Sequence, residues 1–170
     1  MTVTIRRART EDVDFVTELL AHADVRPFLA AGRDVSREAV AAEIERSDRE
    51  PEAFGRFVIE VDGDRGGVMD FERTNQRSRI AHVGGLAVHP DFRGRRIADD
   101  AARLLRDHLI FELGFHRLEL EIYGFNERSI AHAERVGFVR EGVRRKAYRR
   151  GDGWVDGMLY AVIREDLEEE

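Results

Sequence analysis

Between Val88 and Leu105 the chain reads "VHPDFRGRRIADDAARLL", with three arginines and a glycine in the four residues Arg93-Gly94-Arg95-Arg96. The segment that follows has apolar residues at helical spacing. A helix N-terminus offers unpaired backbone N–H groups and about half a unit of positive charge, so anions bind there readily. The arginines add formal charge, and Gly94 lets a ligand approach the backbone closely. The chemistry this pattern implies is the holding of a phosphate. Asp99 and Asp100, in the first turn, suit the helix dipole but would repel a phosphate unless they point away. Taken alone, the same residues also describe a solvated basic turn capped by acidic side chains.

The bulk of the sequence narrows whose phosphate this could be. The formal net charge is −6, which argues against general nucleic-acid binding, because that binding leans on a basic face. The arginine cluster is therefore local, as for a small anionic ligand. Lys146 is the sole lysine, so arginine is the default cation and a single arginine means little. With no cysteine there is no disulfide framework, no thiolate metal site and no thiol nucleophile. His22, His89, His108, His116 and His132 are scattered without the spacing of two ligands on one helical face, so no metal is expected. No apolar run approaches the ~20 residues of a membrane span, and "MTVTIRRART" lacks the apolar core of a signal peptide. No membrane partner and a cytoplasmic setting are the expectation. A length of 170 residues fits one domain.

The elements that must position the arginine turn are legible from periodicity. "VTIRRA" (3–8) alternates as a half-buried strand, and Thr10 then reads as the N-cap of a helix running to about Ala21. Ser36 reads as the cap of a second helix through about Arg46, followed by a loop, "SDREPEAFG". Two antiparallel strands surround Asp62-Gly63-Asp64, and "RIAHVGGLAVHP" is a further strand closed by Pro90. After the arginine turn, Ile97, Ala101, Leu104, Leu105 and Leu109 mark one face of a helix ending near Gly114. In "HRLELEIYG", Leu118, Leu120 and Ile122 alternate with Glu119 and Glu121 as a strand. "NERSIAHAERVGF" is a shorter helix ended by Gly137, and two last strands surround Gly151-Asp152-Gly153. "EDLEEE" (165–170) is a solvated acidic tail. The order β-α-α-β-β-β-α-β-α-β-β predicts an α/β fold, a mixed, mostly antiparallel sheet flanked by helices.

The strand ending "LAVHPDFRG", the arginine turn, a helix, a strand, Asn126 and a helix ending in Gly137-Phe138 together resemble the GNAT superfamily of acyl-coenzyme A-dependent N-acyltransferases. The family's coenzyme loop reads Gln/Arg-x-x-Gly-x-Gly/Ala; here it is Arg93-Gly94-Arg95-Arg96-Ile97-Ala98, with Arg96 in place of the central glycine. The C-terminal half, from "LEIYGFNERSIAHAERVGF" to "WVDGMLY", is similar to the Rim-type branch that acetylates protein N-termini, including those of ribosomal proteins.

The resemblance implies an acetyl-coenzyme A-dependent enzyme acting on a primary amine, without a metal. The acceptor it favours is a peptide N-terminus; a small amine such as an amino acid, polyamine or antibiotic is the alternative, and a non-catalytic acyl-coenzyme A-binding protein is the rival of another class. Homodimers are common among such domains. Leu86, Ala87 and Val88 would present backbone groups to the acyl-pantetheine arm, with the Val88 N–H as oxyanion donor. The backbone from Gly94 to Asp99 would hold the pyrophosphate, and Asn126 would bond the pantetheine while also suiting a helix N-cap. Glu121 matches a carboxylate base of the N-terminal acetyltransferases. His82 stands where other members carry a base glutamate, and its ordinary pKa of about 6.5 suits proton transfer. Both also fit plain strand residues. Many relatives have a tyrosine acid seven residues after the asparagine; here that position is Ala133. Ser129 and Tyr148 are the replacement donors, each equally readable as a structural side chain. Trp154 on a strand reads as packing before acceptor binding, and Asp70 and Glu72 as a solvated strand face before amine recognition.

Overall fold

The computed structural model describes residues 1–169. In chain order it contains β1 (Val3–Arg7), α1 (Val13–Ala21), α2 (Arg37–Arg49), β2 (Phe54–Val61), β3 (Asp64–Asn75), β4 (Ile80–Val88), α3 (Ile97–Asp107), β5 (Arg117–Tyr123), α4 (Glu127–Arg135), β6 (Val139–Arg150), β7 (Gly153–Ile163) and α5 (Arg164–Glu168). The strands form one sheet in the order β1-β2-β3-β4-β5-β7-β6. Every neighbouring pair is antiparallel except β4 and β5, which run parallel. This is the mixed, mostly antiparallel architecture the periodicity predicts.

Strand β2 shows how the sheet is filled on both faces, and why it reads as a nearly continuous apolar run. Phe57, Ile59 and Val61 pack with Ile97, Ala101, Leu105 and Leu109 of α3 and the turn beyond it. Val58, between them, packs on the other face with Val16, Leu19 and Leu20 of α1 and Val40 and Ile44 of α2. Helix α3 continues into one wide π-helical turn, His108–Glu112. Leu104, expected on its buried face, is instead exposed.

Three further local expectations are corrected. Thr10 caps nothing. A 3₁₀ turn, Thr10–Asp12, precedes α1 and puts Asp12 at the cap position of the helix; the Arg9 N–H, at the start of that turn, donates to the buried Asp12 carboxylate at 2.8 Å. Burial alone would raise the Asp12 carboxyl; hydrogen bonds from Arg6 and the Arg9 N–H hold it below its ordinary value. Ser36 does cap α2, accepting from the Ala39 N–H at 3.2 Å, but α2 runs to Arg49, through the first three residues of the segment expected as loop. The acidic tail begins as α5, whose Leu167 packs on the core; Glu170 lies outside the described residues.

The feature that makes a site is the short reach of the parallel pairing. β4 and β5 are paired only from Ile80–Arg117 to His82–Glu119. Beyond that point β4 bends, with a register shift against β3 between Val68 and Asp70 and Gly85 at φ +60°. The two strands part, and the gap opens at their C-terminal ends, where ligands settle in open α/β sheets.

Candidate active site

Two connected clefts occupy this gap. One follows the end of β4, the arginine turn and the start of α4; among its lining residues are Leu86, Ala87, Val88, Arg93, Gly94, Arg96, Ile97, Ala98, Asp99 and Asn126. The other, of about 560 Å³, lies between β4 and β5 under the α1–α2 segment and reaches His82, Glu121 and Tyr148. Phe28, Leu29, Leu86, Asn126, Ser129 and His132 line both and mark where the clefts meet.

The His89 N–H donates to the Gly66 carbonyl on β3 at 2.8 Å. Peptide groups alternate along a strand, so the Val88 N–H faces the opposite way, into the gap. In the turn, Gly94 has φ +81° and Arg96 has φ +56°. Arg96 therefore adopts the left-handed conformation for which glycine is the natural residue. Its side chain is exposed, while its backbone sits at the N-cap of α3 and leaves the first N–H groups of the helix unpaired. Arg93 stands 3.9 Å from Asp24, and Arg95 lies over the Phe92 ring.

Asp99 does not face this groove with an unpaired charge. It is 2% exposed and turned onto α4, where its carboxylate accepts from Arg135 at 2.7 and 3.1 Å and meets His132 Nδ1 at 2.6 Å. The Arg135 hydrogen bonds, opposed by burial and reinforced by His132, hold its pKa down at about 2. Arg106 adds a bond to the Val136 carbonyl at 2.6 Å, so α3 and α4 are clamped together. The clamp places Asn126, the N-cap of α4, at the junction; its side-chain oxygen accepts from the Ser129 N–H at 3.2 Å. That bond leaves the Asn126 NH₂ as the group that could reach a ligand. Ala133 is buried beside the same cleft and carries no donor.

In the second cleft Glu121 is half-buried, and its Oε1 is buried without a hydrogen-bond partner. Gly157 provides the room: a Cβ there would collide with Glu121 Oε1 and stand 2.8 Å from the Tyr148 ring. Arg144 Nε lies 3.7 Å from Glu121. Burial, and after it the Glu121 carboxylate, raises the Tyr148 hydroxyl above its ordinary pKa, so it is a protonated donor at neutral pH. His82 is exposed at the last position of β4 that pairs with β5, opposite Glu119.

Two expectations about flanking residues change. Asp70 is not solvated: it is bound by Arg33 at 3.0 Å and by the fully buried Arg56 at 3.1 Å. Glu72 is exposed and pairs with Arg46. Trp154 is 59% exposed, so it is not a packing residue, and it lines neither cleft. Among the described residues, no group of three or more His, Asp or Glu is arranged to hold a metal, and no helix is long and apolar enough to cross a membrane.

Residues 2–139 match the family described as the acetyltransferase (GNAT) domain. The chain belongs to this family. A GNAT relative from Bacillus subtilis (strain 168), the SPbeta prophage-derived uncharacterized N-acetyltransferase YokL, is 25% identical over 98% of this chain and 92% of its own. Spermidine N(1)-acetyltransferase of Escherichia coli (strain K12) is 28% identical over 82% of this chain and 74% of its own. Among solved structures, RimL, a ribosomal L7/L12 alpha-N-protein acetyltransferase in complex with coenzyme A, shares the fold with a TM-score of 0.84. It is 22% identical, with 96% of this chain and 94% of that one covered.

Within the GNAT fold, the residues expected to hold the coenzyme line one groove, except Arg95, and His82, Glu121, Ser129 and Tyr148 line the second cleft. Sequence reasoning misses what tertiary pairing creates. Arg33, Glu43, Arg56 and Asp70 come from three separate elements and a loop, and nothing local announces their network. Tyr123, whose hydroxyl accepts from the Ala31 N–H at 3.2 Å, was visible only as one more residue of an alternating strand. Gly157, in a strand where glycine weakens pairing, was a readable sign of close approach.

Proposed function

We propose that this N-acetyltransferase takes its acetyl group from acetyl-coenzyme A and transfers it directly to the primary amine of a peptide N-terminus. The Glu121 carboxylate carries the reading: it lines the acceptor cleft beside Tyr148, and its Oε1 makes no hydrogen bond, with only the Arg144 guanidinium near it at 3.7 Å. Buried carboxylate oxygens without a hydrogen bond are rare, and one packed over Gly157 at the edge of a cleft, beside a phenol, belongs to a carboxylate with spare capacity to accept a proton. The thioester supplies an acyl carbon activated for attack by nitrogen.

This chain's residues do the rest. The N–H groups from Gly94 to Asp99 and the arginines around them hold the pyrophosphate. Asn126 and the backbone of Leu86, Ala87 and Val88 hold the pantetheine arm along the unpaired side of β4. The amine nitrogen bonds to the acyl carbon and the carbonyl pair moves to oxygen, where the Val88 N–H faces the oxyanion; collapse of this tetrahedral intermediate breaks the carbon–sulfur bond. The proton lost by the amine passes to Glu121, directly or through one water. Ser129, which lines both clefts, donates to the departing thiolate where relatives use a tyrosine. Tyr148 keeps its proton and orients Glu121. His82, exposed at the rim, is the second candidate for the base.

Calorimetry with acetyl-coenzyme A and a thiol-release assay over peptides and small amines test the reading. Binding together with turnover of at least one peptide is expected. Absence of binding at millimolar ligand refutes it, and tight binding with no turnover of any amine would make the protein an acyl-coenzyme A-binding module.

A further inference from the structure

Resting on that transfer reading, we infer that the acceptor carries a carboxylate close to its reactive amine: a peptide N-terminus followed by acidic side chains, and not a polycation. Two sets of charges decide this. The first is the carboxylates of the acceptor cleft, each of which already has an arginine. Glu43 is held by Arg56, Asp70 by Arg33 and Arg56, and Glu72 by Arg46 at 3.0 Å; Glu121 faces Arg144 at 3.7 Å. An amine with two or three further ammonium groups needs carboxylates to receive them. Here each would have to be taken from an arginine, and two of the four serve Arg56, which is fully buried. Removing the partners of a buried charge is strongly unfavourable.

The second set is the cations of β6. The register of β6 on β7 passes from Arg144–Gly157 to Tyr148–Val155, so Arg145, Lys146 and Ala147 bulge opposite Asp156 alone. Lys146 sits at φ +46°, and its N–H is held by Asp156 Oδ1 at 2.7 Å. The bulge is thus built and anchored, and its two ends are Arg144, against Glu121, and Tyr148, lining the cleft. Such bulges re-aim side chains next to active sites. Among the described residues neither Arg145 nor Lys146 has an ion-pair partner, and both are exposed. Arg150, two residues beyond Tyr148, lies over the Phe125 ring and donates to the Pro27 carbonyl at 2.7 Å, and it has no carboxylate partner either. A chain with net charge −6 therefore carries exposed cations without ion pairs on a bulge whose ends, Arg144 and Tyr148, reach the acceptor cleft, though Arg145, Lys146 and Arg150 do not themselves line it. Charge of one sign around a cleft raises the encounter rate of the opposite sign and repels its own.

The test is a thiol-release assay with four acceptors: peptides of one length with acidic, neutral or basic residues at positions two to four, and spermidine. The acidic peptide is expected to have the highest kcat/KM, about tenfold over the basic one at low salt. That advantage should shrink as added salt screens exposed charges. In the Arg145→Gln/Lys146→Gln double variant, the acidic-over-neutral ratio should fall about threefold to tenfold, the range of two exposed ion pairs. Preference for spermidine or the basic peptide overturns the inference while leaving acetyl transfer standing. So does a ratio unmoved in a folded double variant. If that variant does not fold, the salt series on the unaltered protein decides: an acidic preference insensitive to salt overturns the inference. Turnover of none of the four peptides and amines, with coenzyme bound, refutes the transfer reading and this inference with it.

Discussion

Replacing Asp99 with asparagine removes the charge that holds α4 to α3, and the cost can be worked from the geometry. The carboxylate is buried, bound by Arg135 at 2.7 and 3.1 Å and by His132 at 2.6 Å, and its pKa falls from 3.8 to about 2. At about 1.4 kcal/mol per pH unit, that fall corresponds to about 2 kcal/mol of folding free energy. The folded-state pKa lies below the unfolded one. The contribution is therefore complete above about pH 4 and is lost as pH drops through about 2. Guanidinium unfolding of wild type and Asp99→Asn at pH 7 should show a gap of about 2 kcal/mol, or roughly 4–8 °C in Tm for a chain of this size. At pH 3 about half of the gap should remain. Equal stability at pH 7, or a gap undiminished at pH 3, would refute the assignment of Asp99 to the helix clamp.

Other substitutions probe the clefts directly. Gly157→Ala pushes a methyl group into Glu121 and Tyr148; a cost of about 1–3 kcal/mol in stability and at least about tenfold in kcat is expected, with coenzyme affinity unchanged by calorimetry. Arg96→Gly relieves a left-handed arginine and should stabilise the fold by up to about 1 kcal/mol in thermal melts, while loss of a cation beside the phosphates weakens coenzyme binding several-fold. Arg150→Ala removes the tie between β6 and Pro27 and the stacking on Phe125 and Tyr123; limited proteolysis between residues 22 and 36 should accelerate about tenfold, from about 1–2 kcal/mol of lost contacts.

The parts of this protein that are written locally were legible before any coordinates. The alternation of Leu118, Leu120 and Ile122 against Glu119 and Glu121, the cap at Ser36 and the stop at Gly137 each depend on neighbours a few residues away, and each stands where periodicity puts it. The arginine turn was legible as a short cationic segment leading into a helix for the same reason, and α3 does begin at Ile97. Arg96 looked like a departure from the family loop, yet its backbone takes the left-handed conformation that a glycine would. Errors came where a distant partner outweighs a local rule. Asp12 displaces Thr10 at the first helix because its carboxylate is held by Arg6 at the end of β1 and, from across the sheet, by Arg65 of β3. Asp70 looked like one more polar strand residue until Arg33 and the buried Arg56 closed on it. The bulge at Lys146 depends on Asp156 of the neighbouring strand, so charge counting along β6 alone does not reveal it.

The central claim, that Glu121 takes the proton of the attacking amine in the gap between β4 and β5, is met most directly by the rate of Glu121→Gln under saturating coenzyme and acceptor. The account predicts a fall in kcat of about 10²-fold or more with an unchanged Kd for acetyl-coenzyme A, and a fall of only a few-fold for His82→Gln. A Glu121→Gln enzyme that turns over at the wild-type rate would contradict it.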